Sequence, residues 1–152
     1  MRNYWEEARN LRIQTGAQIV GGFDVDFHGN IPEETKDELM RFVYWVEDHF
    51  SLPITLWVDF KYNHYLLDET GKRVGYKFYW VDFTPTFENS DDIPVIELPV
   101  RTEHWTMEEI LASFIEAISQ YFMWLTNIPV TEPNQDEIEE VLQAYTQRRE
   151  KP

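Results

Sequence analysis

Residues 106–125, TMEEILASFIEAISQYFMWL, are the stretch from which the fold is read. Thr106 followed three residues on by Glu109 forms a capping box. The hydroxyl accepts an N–H of the first turn, and the carboxylate reaches back to the cap. Trp105 and Ile110 flank the cap as a hydrophobic staple. Met107, Leu111, Phe114, Ile118, Tyr121, Phe122 and Leu125 recur at helical spacing and share one arc. The stretch is therefore predicted to be a helix of about five turns with that arc on a core. Ser113, Glu116, Ala117 and Gln120 fall on a second arc, where Glu116 and Gln120 stand one above the other as an i,i+4 pair.

Working outward, residues 127–133 carry two prolines and read as a linker. Asn134 with Glu137 is a second capping box. It opens a helix from 135 to about 148 with Ile138, Val141, Leu142 and Tyr145 inward. Upstream, 94–100 is a short strand. Pro99 cannot donate a ladder hydrogen bond, which assigns that strand to a sheet edge. Residues 54–65 alternate, with Ile54, Leu56, Val58, Phe60 and Tyr62 on one face. Residues 75–83 are predicted to return beside them as a β-hairpin around the turn 68–72. A loop covers 84–92. Residues 32–50 form a helix with Leu39, Phe42, Val43, Val46 and Phe50 buried, and acids at its positive end. Phe23, Val25 and Phe27 alternate with Asp24 and Asp26, a half-buried strand within 18–28. Residues 1–13 form a short helical segment of ragged period. The chain of 152 residues reads as a single domain, with its core over 18–148.

Net charge is -15, from 28 acids against 13 bases, which argues against direct nucleic-acid binding through a basic surface. Six Trp, eight Tyr and ten Phe are too many for a disordered acidic tail. The absence of cysteine excludes disulfides, thiolate metal sites and a Cys nucleophile. No signal peptide and no apolar run of membrane-spanning length is read, so a cytoplasmic location away from membranes is the expectation.

Residues 116–120, EAISQ, with the aromatic tail Tyr121, Phe122 and Trp124, resemble the active-site helix of small zincin-like metallopeptidases of the gluzincin type. That helix carries His-Glu-x-x-His, in which the His pair binds zinc and the Glu is the general base. Here Glu116 stands for the first His, Ala117 for the base and Gln120 for the second His. The resemblance implies a zincin-like α+β fold, a twisted and mostly antiparallel sheet packed with three main helices. It also implies an edge strand above the active-site helix, to which an extended peptide adds as a further strand. On that analogy 94–100 is the edge strand, and Val95, Ile96 and Glu97 with Ser113 line the groove. The family's third ligand falls on Glu139, with Glu140 the next choice.

Three functions follow as expectations. In the first, all three letters of the motif are replaced and the zinc site is lost, leaving a module without peptidase activity that binds a peptide or protein. In the second, the -15 charge is itself the function, as in a nucleic-acid mimic that occupies a basic partner. In the third, Glu116, Gln120 and Glu139 form an oxygen-only site suited to Ca²⁺, Mg²⁺ or Mn²⁺ and support a hydrolase. Against the third, Glu116 and Gln120 are also ordinary polar residues for a solvated or groove-facing arc. His28, His49, His64 and His104 are scattered, with no pair at metal-ligand spacing on one helix. Asp24 and Asp26 share a strand face, and Asp59 and Asp82 are placed to meet across the hairpin. Trp57, Tyr76, Phe78 and Trp80 mark either a core face or a binding surface of that hairpin. No Gly-x-Ser-x-Gly elbow or phosphate-binding glycine loop is present.

Overall fold

The computed structural model describes residues 2–17, 21–83 and 91–150. The order of elements is α1 (Tyr4–Thr15), β1 (Phe23–His28), α2 (Glu33–His49), β2 (Leu56–Lys61), β3 (Leu66–Leu67), β4 (Arg73–Val74), β5 (Lys77–Phe83), β6 (Asp91–Pro99), α3 (Met107–Leu125) and α4 (Gln135–Glu150). The loop expected over 84–92 and the start of the strand expected over 18–28 lie largely outside the described residues.

The fold is α+β with a mixed four-stranded sheet in the order β1-β2-β6-β5. β1 and β2 pair in parallel, as do β2 and β6; only β5 runs antiparallel, beside β6. The expected, mostly antiparallel sheet is therefore corrected to a mostly parallel one. The β1–α2–β2 crossover forces the first two strands to run the same way. The expected hairpin is corrected too. β2 and β5 are not neighbours, because β6 lies between them. The turn at 68–72 joins only the two-residue strands β3 and β4. Asp68 holds that turn by accepting the N–H groups of Thr70 and Lys72.

β6 is an inner strand, not an edge. Pro94 lies beyond the end of its pairing with β2, and Pro99 lies beyond the end of its pairing with β5. Each proline thus stands where β6 has one neighbour, so neither interrupts a ladder on both sides.

The sheet has a helix face and an open face. Leu56, Val58 and Phe60, with Ile96 and Leu98, are fully buried beneath the helices. Phe114 of α3 meets Phe23, Phe42 and Phe60 edge-on or tilted, tying β1, α2 and β2 to one ring. On the other face Asp24, Asp26, His28 and Trp57 are exposed, and among the described residues no helix covers them.

α3 has the bounds and the capping box read from its sequence. Thr106 Oγ1 accepts from Glu109 N at 3.1 Å, and Glu109 Oε1 accepts from Thr106 N at 3.0 Å. It is, however, buried on more than one arc. Ala117 and Ser119 are covered as well as Phe114 and Ile118, because α1 and α4 pack on the side away from the sheet. Trp5 anchors α1 there. It sits edge-on to Phe50 and Phe122, and its Nε1 donates to Ser119 Oγ at 2.7 Å. Tyr121 spans to the β2 approach, donating to Ile54 O and accepting from Ile54 N. Among the described residues, no helix is long and apolar enough to cross a membrane.

Candidate functional site

The second arc of α3 opens toward the residues leading into β5 and the linker into α4. Glu116 is half-buried, and its Oε1 accepts from Gln135 Nε2 at 3.0 Å. Tyr76 lies beside it. Burial, and then the negative charges of Glu116 and Glu132, push the Tyr76 phenol well above its ordinary pKa. Gln120 donates through Nε2 to Thr131 O at 3.1 Å, fixing the linker against the helix. Ser113 is half-buried beside Gly75. A Cβ added at Gly75 would stand 3.4 Å from Ser113 Oγ, so the chain entering β5 runs close against α3 at this point.

One turn of helix further on, the wall becomes aromatic. Trp80 of β5 stacks on Trp124 of α3 with ring centroids 6.4 Å apart, and Phe78 meets both rings. Trp80 remains 47% exposed, so this wall faces outward beside the β5 edge. Among the described residues, no strand pairs with the outer edge of β5. The result is a strand edge with a polar end at Glu116 and Tyr76 and an aromatic end at Trp80 and Trp124.

The residues singled out in the sequence are distributed as follows. Glu116 and Gln120 lie on this cleft, each engaged by a neighbour of the α4 approach. Ala117, one residue along, is fully buried and turns into the core. Glu139 is exposed, one turn beyond Gln135 on α4. Gln135, not Glu139, is the α4 residue that touches Glu116. Glu140 is exposed and, with Glu137, lines a separate cavity of about 400 Å³ between α1 and α4.

Val95, Ile96 and Glu97 do not lie on a sheet edge, which corrects the strand placement on which their groove assignment rests. They sit mid-sheet on β6, hydrogen-bonded on both sides by β2 and β5. Glu97 instead anchors the open face, where it is ion-paired with Lys61. Burial alone would raise its carboxyl pKa. Hydrogen bonds from Lys61 and Tyr79 outweigh that and hold it below the ordinary glutamate value.

Asp59 and Asp82 are not partners, since Asp59 stands in register with Asp26 and Glu97, and Asp82 with Asp92. The four hairpin aromatics also separate. Trp57 shares the open face with Val95 and Tyr79, whereas Phe78 and Trp80 face α3. His64 and His104 do approach, with ring centroids 4.8 Å apart outside the sheet. Sequence reasoning missed Trp124, Glu132 and Gln135 as cleft residues. Trp124 carried a usable signal, since it lies one turn from Gln120. The other two arrive only through the docking of the linker and α4. No family model, curated protein or solved structure matches the chain.

Proposed function

We propose that this chain is a zincin-like module without peptidase activity, and that it holds an extended peptide along the outer edge of β5, over α3. The β5 edge, unpaired among the described residues and beside the helix with the replaced motif, carries this reading. A strand edge offers unpaired N–H and C=O groups to an incoming chain. Trp80 and Trp124 supply an aromatic platform for one of its side chains, and Glu116 with Tyr76 a polar one for another. The order of crossover, antiparallel edge strand, inner strand and helix also agrees with an edge strand lying above that helix.

The donors on α3 do not fit a catalytic zinc site. Ala117 has no group to accept a proton and is buried, and Glu116 and Gln120 put a carboxylate and an amide where the motif has two imidazoles. Against a hydrolase with an oxygen-only metal at Glu116, Gln120 and Glu139, it is Gln135 and not Glu139 that is hydrogen-bonded to Glu116. The charge-based alternative requires acids gathered into one stripe. Exposed acids instead occur on the helices, as at Glu6, Glu33 and Asp136, and on the opposite, open face of the sheet, at Asp24 and Asp26.

Amide hydrogen exchange with and without a pool of casein-derived peptides tests the proposal. The expected result is new protection over 77–83, lost in Trp80→Ala, with the peptides recovered uncut. Unchanged exchange over β5, or cleavage of the peptides with one zinc per chain, overturns it.

A further inference from the structure

The open face of the sheet carries a mixed set of donors that the cleft does not use. β1 and β2 run parallel with Asp26 opposite Asp59 and His28 opposite Lys61. Asp26 and His28 are two residues apart on one strand, so both side chains project to the same face. Each of Asp26, His28 and Asp59 offers one ligand atom there, and the three atoms lie within 4.8 Å of one another. His28 Nε2 is hydrogen-bonded to Asp59 Oδ1 at 3.1 Å, a separation that two adjacent ligands on one ion also have. An ion about 2.1 Å from each donor holds opposite ligands within about 4.2 Å, so small side-chain rotations complete the set.

Two carboxylates facing each other across a ladder repel unless a positive charge intervenes. Lys61 is the nearest cation in the register, but its ammonium is drawn to Glu97 on the far side of β2. We propose that Asp26, His28 and Asp59 bind a divalent first-row transition ion, which supplies that charge. One imidazole with two carboxylates suits Zn²⁺, Mn²⁺, Co²⁺ or Ni²⁺ better than Ca²⁺ or Mg²⁺, which take oxygen ligands. Asp26 and His28 are exposed, so water occupies the remaining positions. The site lies on the sheet face away from α3 and on β1 and β2, the two strands furthest from β5, so it is independent of the peptide proposal.

The test is titration of the full, chelator-stripped chain with Zn²⁺ by calorimetry and with Co²⁺ by visible absorption. One equivalent is expected. His28→Ala and Asp59→Asn each weaken binding by at least about tenfold, as loss of a direct ligand should exceed loss of a supporting group. His28 is exposed and Asp59 half-buried, and circular dichroism verifies that the variants fold. His104→Ala serves as the control for the other imidazole pair, and binding to it should match that of the parent chain. Absence of a stoichiometric ion, unchanged affinity in His28→Ala, or loss of the ion in His104→Ala each overturns the assignment.

Discussion

Glu137 of α4 accepts the backbone N–H of Trp5 at 3.0 Å, so a carboxylate from the last helix caps the first turn of the first helix. Asn3 supplies the local cap, accepting from Glu6 N, and Glu137 takes a donor that the local cap leaves open. The position is buried. Burial raises the Glu137 carboxyl pKa, and hydrogen bonds from the Trp5 and Tyr4 backbone only partly oppose it. Glu137→Ala leaves the Trp5 amide without its acceptor and should cost about 1–3 kcal/mol in denaturant unfolding. Glu137→Gln keeps an acceptor and removes the buried charge, so at neutral pH it should be neutral or stabilising.

The pH dependence of that pair of variants separates charge from hydrogen bonding. A carboxyl whose folded pKa is raised contributes its stability below the unfolded value and loses it as pH rises through the folded value. The parent chain should therefore gain stability relative to Glu137→Gln as pH falls from neutral toward the ordinary glutamate pKa. Parallel unfolding curves at each pH would show the difference, and a constant gap would contradict the burial argument.

On the open face the sign reverses. Glu97 is buried but held low by Lys61 and Tyr79, so its contribution is present above the unfolded glutamate value and is lost as pH falls through its own. Lys61→Met removes the partner and leaves a largely buried carboxylate. We expect a loss of about 1–3 kcal/mol and a raised Glu97 pKa by carboxyl-resolved NMR.

Gly21 and Gly71 both adopt positive φ, at 93° and 85°, yet their substitutions should differ. A Cβ at Gly71 meets nothing within 4 Å, so Gly71→Ala carries only the backbone cost of about 1 kcal/mol. A Cβ at Gly21 would lie 1.9 Å from Leu52 O, within the segment where Gly22 N donates to that same oxygen. Gly21→Ala must move the chain entering β1 away from the approach to β2. It should cost clearly more than Gly71→Ala in the same unfolding assay.

These contacts mark where the sequence is informative and where it is silent. The bounds of α3 and its capping box are local, set by residues three apart, and Thr106 with Glu109 announces them. The faces of β1 and β2 are local too, since Phe23, Val25 and Phe27 alternate with Asp24 and Asp26, and Leu56, Val58 and Phe60 with Trp57 and Asp59. Alternation fixes which face a side chain takes but not which strand lies alongside. For that reason the pairing of β6 between β2 and β5 could not be read. Pro99 suggested an edge because its missing donor was weighed without knowing where β5 stops. Glu137 shows the same gap. Three residues after Asn134 it looks like the second half of a capping box, but its acceptor is taken by a residue 132 positions away.

Ala117 tests the proposed reading of α3 as a helix that carries a replaced zincin motif. In the resemblance it occupies the place of the general base, a side chain that must reach water and substrate. Here it is fully buried, between Glu116 on the cleft and Ile118 in the core. Ala117→Glu would bury a carboxylate within the hydrophobic core, at a cost of at least about 2 kcal/mol. Ala117→Ser should cost less, since a hydroxyl can bond back to the carbonyl four residues earlier, as Ser119 does to Ile115 O at 2.9 Å. Thermal unfolding of the two variants decides the matter. If Ala117→Glu is as stable as the parent chain, position 117 has access to the cleft, and adding imidazoles by Glu116→His and Gln120→His completes the zinc-binding motif for a metal titration. If it is destabilised as expected, core packing excludes a base at position 117, and writing the motif letters into α3 will not make a hydrolase.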